Sequence, residues 1–238
     1  MSLGEIFSDA IKYPFSDITK FVIIGIISLL ASLTGVFSSF GMDSVAVQGI
    51  AAIIALIFSL ILSGYALRVI KKGIEYSDDI PEIDFKTNLI DGIKALIINI
   101  VYFIIPAIIA FLLLGASALI GAGINHMVAS MGLSVIVVII LFLIFAIFEI
   151  VAMARFADTG DMGAALSIGS VFEDVKRIGV VNIILFEIVA LIIIIVALVI
   201  ASAISIIPYI GVIIATIILG AFFVLFYYKA LGLLYAGA

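Results

Sequence analysis

Residues 180–207 read VVNIILFEIVALIIIIVALVIASAISII. Apart from Asn182, Glu187 and two serines, the stretch is built entirely of Val, Ile, Leu, Phe and Ala. As a helix it is long enough to cross about 30 Å of hydrocarbon. Lipid offers no partner for backbone N–H and C=O groups, and the alternation of a barrel strand is absent, so the segment reads as a membrane helix. Five more apolar runs follow the same logic, at residues 21–33, 50–67, 95–120, 133–154 and 210–226. The expected fold is an all-α membrane protein with six transmembrane helices. Composition agrees: 66% of residues are hydrophobic and 11% charged, against about half and about a quarter in soluble domains.

The charges give an orientation. With six helices, the two chain ends and the connections at 68–94 and 155–177 share one side of the membrane. That side holds all eleven Lys and Arg residues, whereas the loops at 35–48, 115–132 and 202–211 hold none. The positive-inside rule then predicts a multi-pass protein of the cell membrane with both termini cytoplasmic. No basic region precedes a short apolar core at the start, so no signal peptide is expected. The absence of Cys excludes disulfides, thiolate metal sites and a cysteine nucleophile.

A repeat runs through the connections. The pattern acid–any–apolar–Lys occurs as DAIK from Asp9, DGIK from Asp91 and EDVK from Glu173, with an offset of 82 residues each time. Around each copy apolar residues recur at helical spacing: Phe7, Ile11, Phe15 and Ile18; Phe85, Leu89, Ile93 and Leu96; Phe172, Val175 and Ile178. Such stretches are expected to lie as amphipathic helices in the cytoplasmic interface. Each leads into a helical hairpin that closes on a cation, at Arg68, Arg155 and Lys229. The reading is one membrane domain over residues 1–238, made of three tandem units at about 5–75, 84–160 and 169–238, each an interfacial helix plus a hairpin. Parallel units of this kind are related by an axis along the membrane normal.

The stretch AMARFADTGDMGAA, residues 152–165, has a short echo in GYALR, residues 64–68. It resembles the central signature of a family of six-helix membrane proteins, mostly archaeal, known as a domain of unknown function. The resemblance implies a similar topology over nearly the whole chain and brings no activity with it. Residues 71–84 depart from the pattern, being more acidic and lacking the Gly-Ala-Ala element.

Within the 180–207 run lies FEIVA, residues 186–190, which also occurs at residues 148–152. It places Glu187 about 15 Å beyond Arg177 and Glu149 about 9 Å inside Arg155, at 1.5 Å per helical residue. An intramembrane carboxylate is costly and by default faces the bundle interior with a role. In the repeat, Glu187 corresponds to Ile105 and Ile23, and Glu149 to Leu62 and Phe223. Both acids therefore break the pseudo-symmetry, on adjacent antiparallel helices, and are the candidate proton- or ion-coupling groups. Asn99 and Asn182 are candidate polar lining. With Ser59, Ser63 and Thr216 they are expected to hydrogen-bond between helices. Pro106 should kink the third helix, and Pro208 marks the outer turn between the last two.

Other polar features carry no chemistry on this reading. Glu75, Asp78, Asp79, Glu82 and Asp84 lack the spacing of a calcium loop and form a solvated connection. Asp158-Thr-Gly-Asp161 lies on a short connector, His126 stands alone in an outer loop, and Tyr227 and Tyr228 fit an interfacial aromatic belt. No metal site, cofactor, nucleic-acid patch or catalytic set is expected, so the chain is not read as an enzyme. The expected function is a small proton- or cation-coupled transporter or carrier. The alternative is a non-catalytic scaffold or accessory subunit of a larger membrane complex. Membrane lipids are the expected surroundings, with a homo-oligomer or a membrane-protein partner left open.

Overall fold

The computed structural model describes residues 1–120, 124–208 and 210–237, without the side chains of 116–120 and 124–131. Every regular element among the described residues is a helix. The chain opens with α1 (Leu3–Lys12), started by a capping box: the Glu5 amide donates to the Ser2 hydroxyl and the Ser2 amide donates back to the Glu5 carboxylate. A 3-10 turn at Tyr13–Phe15 containing Pro14 ends it, and Asp17 caps α2 (Ile18–Ala31). The two segments meet at 87°. The amphipathic stretch therefore lies across the first apolar helix, burying Ile6, Phe7 and Ala10.

The first apolar run is shorter than a full crossing. At 14 residues, α2 spans roughly 21 Å; the helix breaks at Ser32 and resumes as α3 (Leu33–Ser39). Five helices are each long and apolar enough to cross a membrane, or six if the bent pair at the N-terminus is one span. Those five lie in α4 (Val45–Ile74), α5 (Phe85–Ile120), α6 (Ile124–Thr159), α9 (Val180–Ile204) and α10 (Ile210–Ala236). Short helices α7 (Met162–Leu166) and α8 (Ile168–Ile178) connect α6 to α9. His126, expected in a loop, falls on the helical backbone of α6, with its side chain outside the described residues.

The interfacial stretches differ between the three expected units. Before α9 the amphipathic helix α8 is separate: Gly179, at φ +89°, takes a conformation that L side chains avoid and turns the chain into the span. Before the third apolar run there is no break. Residues from Phe85 onward continue without interruption into the span as one 36-residue helix that includes Pro106. Asp84 starts that helix, accepting from the Thr87 hydroxyl at 2.5 Å, and this bond holds its carboxyl below the usual carboxylate range.

The packed core lies at the cationic end. There α1, α8, the ends of α4, α6 and α10 and the start of α5 interdigitate around Phe7, Ile70, Ala154, Val171, Phe186 and Phe226. The 75–84 connection is held onto this end by donors from elsewhere in the chain. Tyr13 donates to the Asp79 carbonyl, Lys20 to Ile80, Tyr65 to Pro81 and Lys229 to Ser77. Its acids pair with cations, Lys20 with Glu82 at 2.8 Å and Lys72 with Glu75 at 3.4 Å.

Packing between spans is closest where side chains are smallest. A Cβ on Gly64 would overlap the Asn88 carbonyl, and one on Gly92 would overlap the Leu60 carbonyl, so α4 and α5 meet backbone to backbone. α4 is central, touching α2, α5, α6 and α10. Away from the cationic end the apolar side chains face outward: Phe111 is 78% exposed, Ile53 64% and Leu143 61%. Surfaces of that extent belong against lipid rather than water.

Candidate functional site

FEIVA gives its Phe and its Ala similar roles in both copies. Phe148 stacks on Phe172 of α8, and Phe186 stacks on Phe7 of α1 at 5.3 Å. Ala152 and Ala190 are fully buried at close helix contacts. With the Phe pinned beneath an amphipathic helix and the Ala in the core, the intervening Glu is directed toward the same place from both helices. Glu149 on α6 and Glu187 on α9 line one cavity of about 380 Å³. The cavity lies between α6 and α9, which pack sparsely against each other.

The two carboxylates are held differently. Glu187 accepts a hydrogen bond from the Tyr227 hydroxyl of α10 at 2.8 Å. Glu149 is half-buried and accepts no hydrogen bond among the described residues. Tyr102 points elsewhere, donating to the Ala165 carbonyl at 2.9 Å and tying α5 to α7. Asn99 reaches the cavity from α5 and Ser63 from α4. Asn182 does not: it is exposed near the start of α9, donating back to Ile178 at 2.8 Å.

Apart from the Tyr227–Glu187 pair, the amide and hydroxyl groups expected to bond between helices bond within their own. Asn99 donates to Ala95, Ser63 to Ser59, and Thr216 to Val212. A short side chain reaches the carbonyl one turn back more readily than a neighbouring helix. The arrangement can hold a proton on either acid, or a small cation between carboxylate, phenol and amide oxygens. No group of three or more His, Cys, Asp or Glu suited to a metal exists among the described residues.

Sequence reasoning missed Tyr227, which was assigned to an aromatic belt. One signal was available: counted back from the cations that close the hairpins, Tyr227 aligns with Ala66 and Met153, so its hydroxyl departs from the expected repeat as the acids do. A second ionic cluster lies outside the cavity. Asp174 of α8 accepts from Arg155 at 2.7 Å and from Tyr235 at 2.8 Å, with Arg177 at 3.5 Å. It fastens α6, α8 and α10 together at the cationic end. The adjoining Asp158–Asp161 segment is structural as well, Asp161 capping α7 through the Gly163 amide.

These features define a class, a multi-helix bundle whose helices are long and apolar enough to span a membrane, with an acid-lined cavity in its interior. The chain belongs to the family described as "Protein of unknown function (DUF4013)", whose model matches residues 47–206. The match includes Asn99, Glu149 and Glu187 and stops short of Tyr227. No curated protein and no solved structure matches the chain.

Proposed function

We propose that this protein is a small carrier in which Glu187 and Glu149 exchange a proton or a small cation while a solute moves. The supporting observation is that the two acids that break the repeat line a single cavity. A charged residue deep in a bilayer costs about 3 kcal/mol on insertion scales. A membrane hydrogen bond such as that from Tyr227 returns on average only about 0.6 kcal/mol. Structure alone does not offset two carboxylates, and exchange chemistry gives them a reason to be there.

The same reading takes the three tandem units as the plan of the domain, supported by the crosswise α1 and the separate α8. It takes both termini as cytoplasmic, because every Lys and Arg lies at one end of the bundle, and it assigns no catalytic chemistry. A second reading, a scaffold or accessory subunit, is favoured by one feature. An apolar groove of about 460 Å³ along α9 and α10, bordered by Ile11, Phe15, Val196 and Phe222, suits a lipid chain or a partner's helix.

Gradient-driven flux separates the two readings. Purified protein in vesicles should dissipate an imposed proton or cation gradient, and Glu187→Gln should reduce the rate at least about tenfold, the loss expected when a required proton-transfer group is removed. A wild type and a Glu187→Gln variant that are equally silent, both folded, would favour the scaffold.

A further inference from the structure

The acid cavity is not isolated. A second cavity of about 610 Å³ lies between α3, α9 and α10, toward the end of the bundle that holds no Lys or Arg. The two share part of their walls, since Ile194 of α9 and Phe223 of α10 line both. Phe223 stacks on Tyr227 at 5.4 Å with the rings nearly parallel, and Tyr227 holds Glu187. The apolar partition is thus one ring away from the hydroxyl that binds the acid.

The second cavity has a definite chemical character. Its walls are mainly apolar and carry five hydroxyls, those of Ser32, Ser39, Ser202, Ser205 and Thr216. Four of them donate their proton within their own helix, Ser39, Ser202, Ser205 and Thr216 to Val36, Val199, Ala201 and Val212 respectively, at 2.7–2.9 Å. A hydroxyl so committed keeps only its oxygen lone pairs for a guest. Four of the five hydroxyls therefore offer acceptors to water, ammonium groups or metal cations, and Ser32 alone keeps a donor that an anion could use. Beyond the partition the next polar groups are two carboxylates, which select in the same sense.

We propose that the cavity between α3, α9 and α10 is the entrance through which water and a small monovalent cation or proton reach Glu149 and Glu187, with Phe223 and Ile194 as the partition. The inference rests on the coupling role given to the two acids and adds the route, its sign selectivity and the gating residues. Phe223 occupies the repeat position that Glu149 holds in the second unit, so one unit supplies the acid and another the apolar barrier. Movement of the ring would pull on Tyr227, which links opening of the route to the bond on Glu187.

The chain has no cysteine, so single cysteines can be introduced and probed directly. Thr216→Cys, and separately Ser205→Cys, would be placed in oriented membrane vesicles, with Asp158→Cys reporting the cationic face. Each would be treated from either side with thiosulfonates carrying a trimethylammonium or a sulfonate group. The proposal expects labelling from the side opposite Asp158. After normalisation to a free thiol, the cationic reagent should react about tenfold faster, the scale on which one-signed clefts concentrate counter-ions. Asn99→Cys in the acid cavity should label slowly from that side and at least about tenfold faster with Phe223→Ala, on the same electrostatic scale once the barrier is gone. If Phe223→Ala does not fold, Phe223→Leu removes the ring stack while keeping the apolar fill.

Labelling by a lipid-soluble maleimide alone would show an acyl chain in the cavity and overturn the entrance. Equal rates for the two charges would overturn the selectivity, and an Asn99→Cys rate indifferent to Phe223 would overturn the partition. The flux experiment is independent of these outcomes. Labelling without gradient-driven flux would sink the coupling role and leave the passage, whereas flux with Thr216→Cys and Ser205→Cys unlabelled would sink the passage alone.

Discussion

At the scale of single residues, the account turns on how a carboxylate is held where lipid surrounds the helix. Glu187 has one donor, Tyr227, and Glu149 has none among the described residues. A fixed structural acid would instead be expected to gather several donors, as Asp174 does from Arg155, Arg177 and Tyr235. Sparse satisfaction suits groups that trade partners with a guest. Tyr227→Phe should therefore cost little stability, about 0.5–1.5 kcal/mol by the range found for membrane hydrogen bonds, measured by denaturant unfolding in mixed micelles. Its effect on flux should be larger, because it frees the acid and loosens the Phe223 stack together. A stability loss above about 3 kcal/mol, well outside that range, would mean that the pair is a structural clasp. The acids themselves were legible in the sequence, because FEIVA stands out against apolar neighbours. Tyr227 was not, since a tyrosine near a helix end has an ordinary explanation and its partner lies 40 residues away.

At the scale of elements, apolar length and turn chemistry carried most of the fold. The runs at 50–67, 95–120, 133–154, 180–207 and 210–226 each mark a real helix, extended by caps and polar ends that hydropathy alone does not see. The first run is the shortest element of the set, because the helix breaks at Ser32, and it counts as a span only together with the crosswise helix before it. The amphipathic stretch before α5 misled differently. It has the periodicity of a surface helix, but its Gly92 stays helical against the Leu60 carbonyl and nothing breaks the helix before the span; before α9, Gly179 supplies the break. The elements are then locked at the cationic end by ion pairs that spacing cannot reveal, since Asp174 lies 19 residues from Arg155 and 61 from Tyr235. Asp174→Asn should destabilise by about 2–3 kcal/mol, somewhat below the cost of breaking a fully buried pair, because the arginines are partly exposed. Asp91→Asn, which removes the 3.0 Å pair with Lys94 on the surface, should change stability by under about 1 kcal/mol. Equal effects in thermal unfolding of the two variants would refute this ranking.

At the scale of the whole molecule, the bundle is tight at one end and open at the other. Core residues crowd the cationic end, whereas toward the opposite end the buried positions are mainly small ones such as Ala51, Ala110, Ala201 and Ala215. A bundle built this way opens a mainly apolar cavity with scattered hydroxyls at its loose end and a smaller acid-lined one deeper inside, with Phe223 and Ile194 lining both. Both acids sit where α6 and α9 pack sparsely against each other. The most direct test of their role is infrared difference spectroscopy on the protein in lipid while pH or cation concentration is stepped. The account predicts a carboxyl C=O change that responds to the step, diminishes in Glu187→Gln and disappears in the double variant with Glu149→Gln. Identical difference spectra for wild type and the double variant would show that neither acid exchanges anything, and the carrier reading would fall.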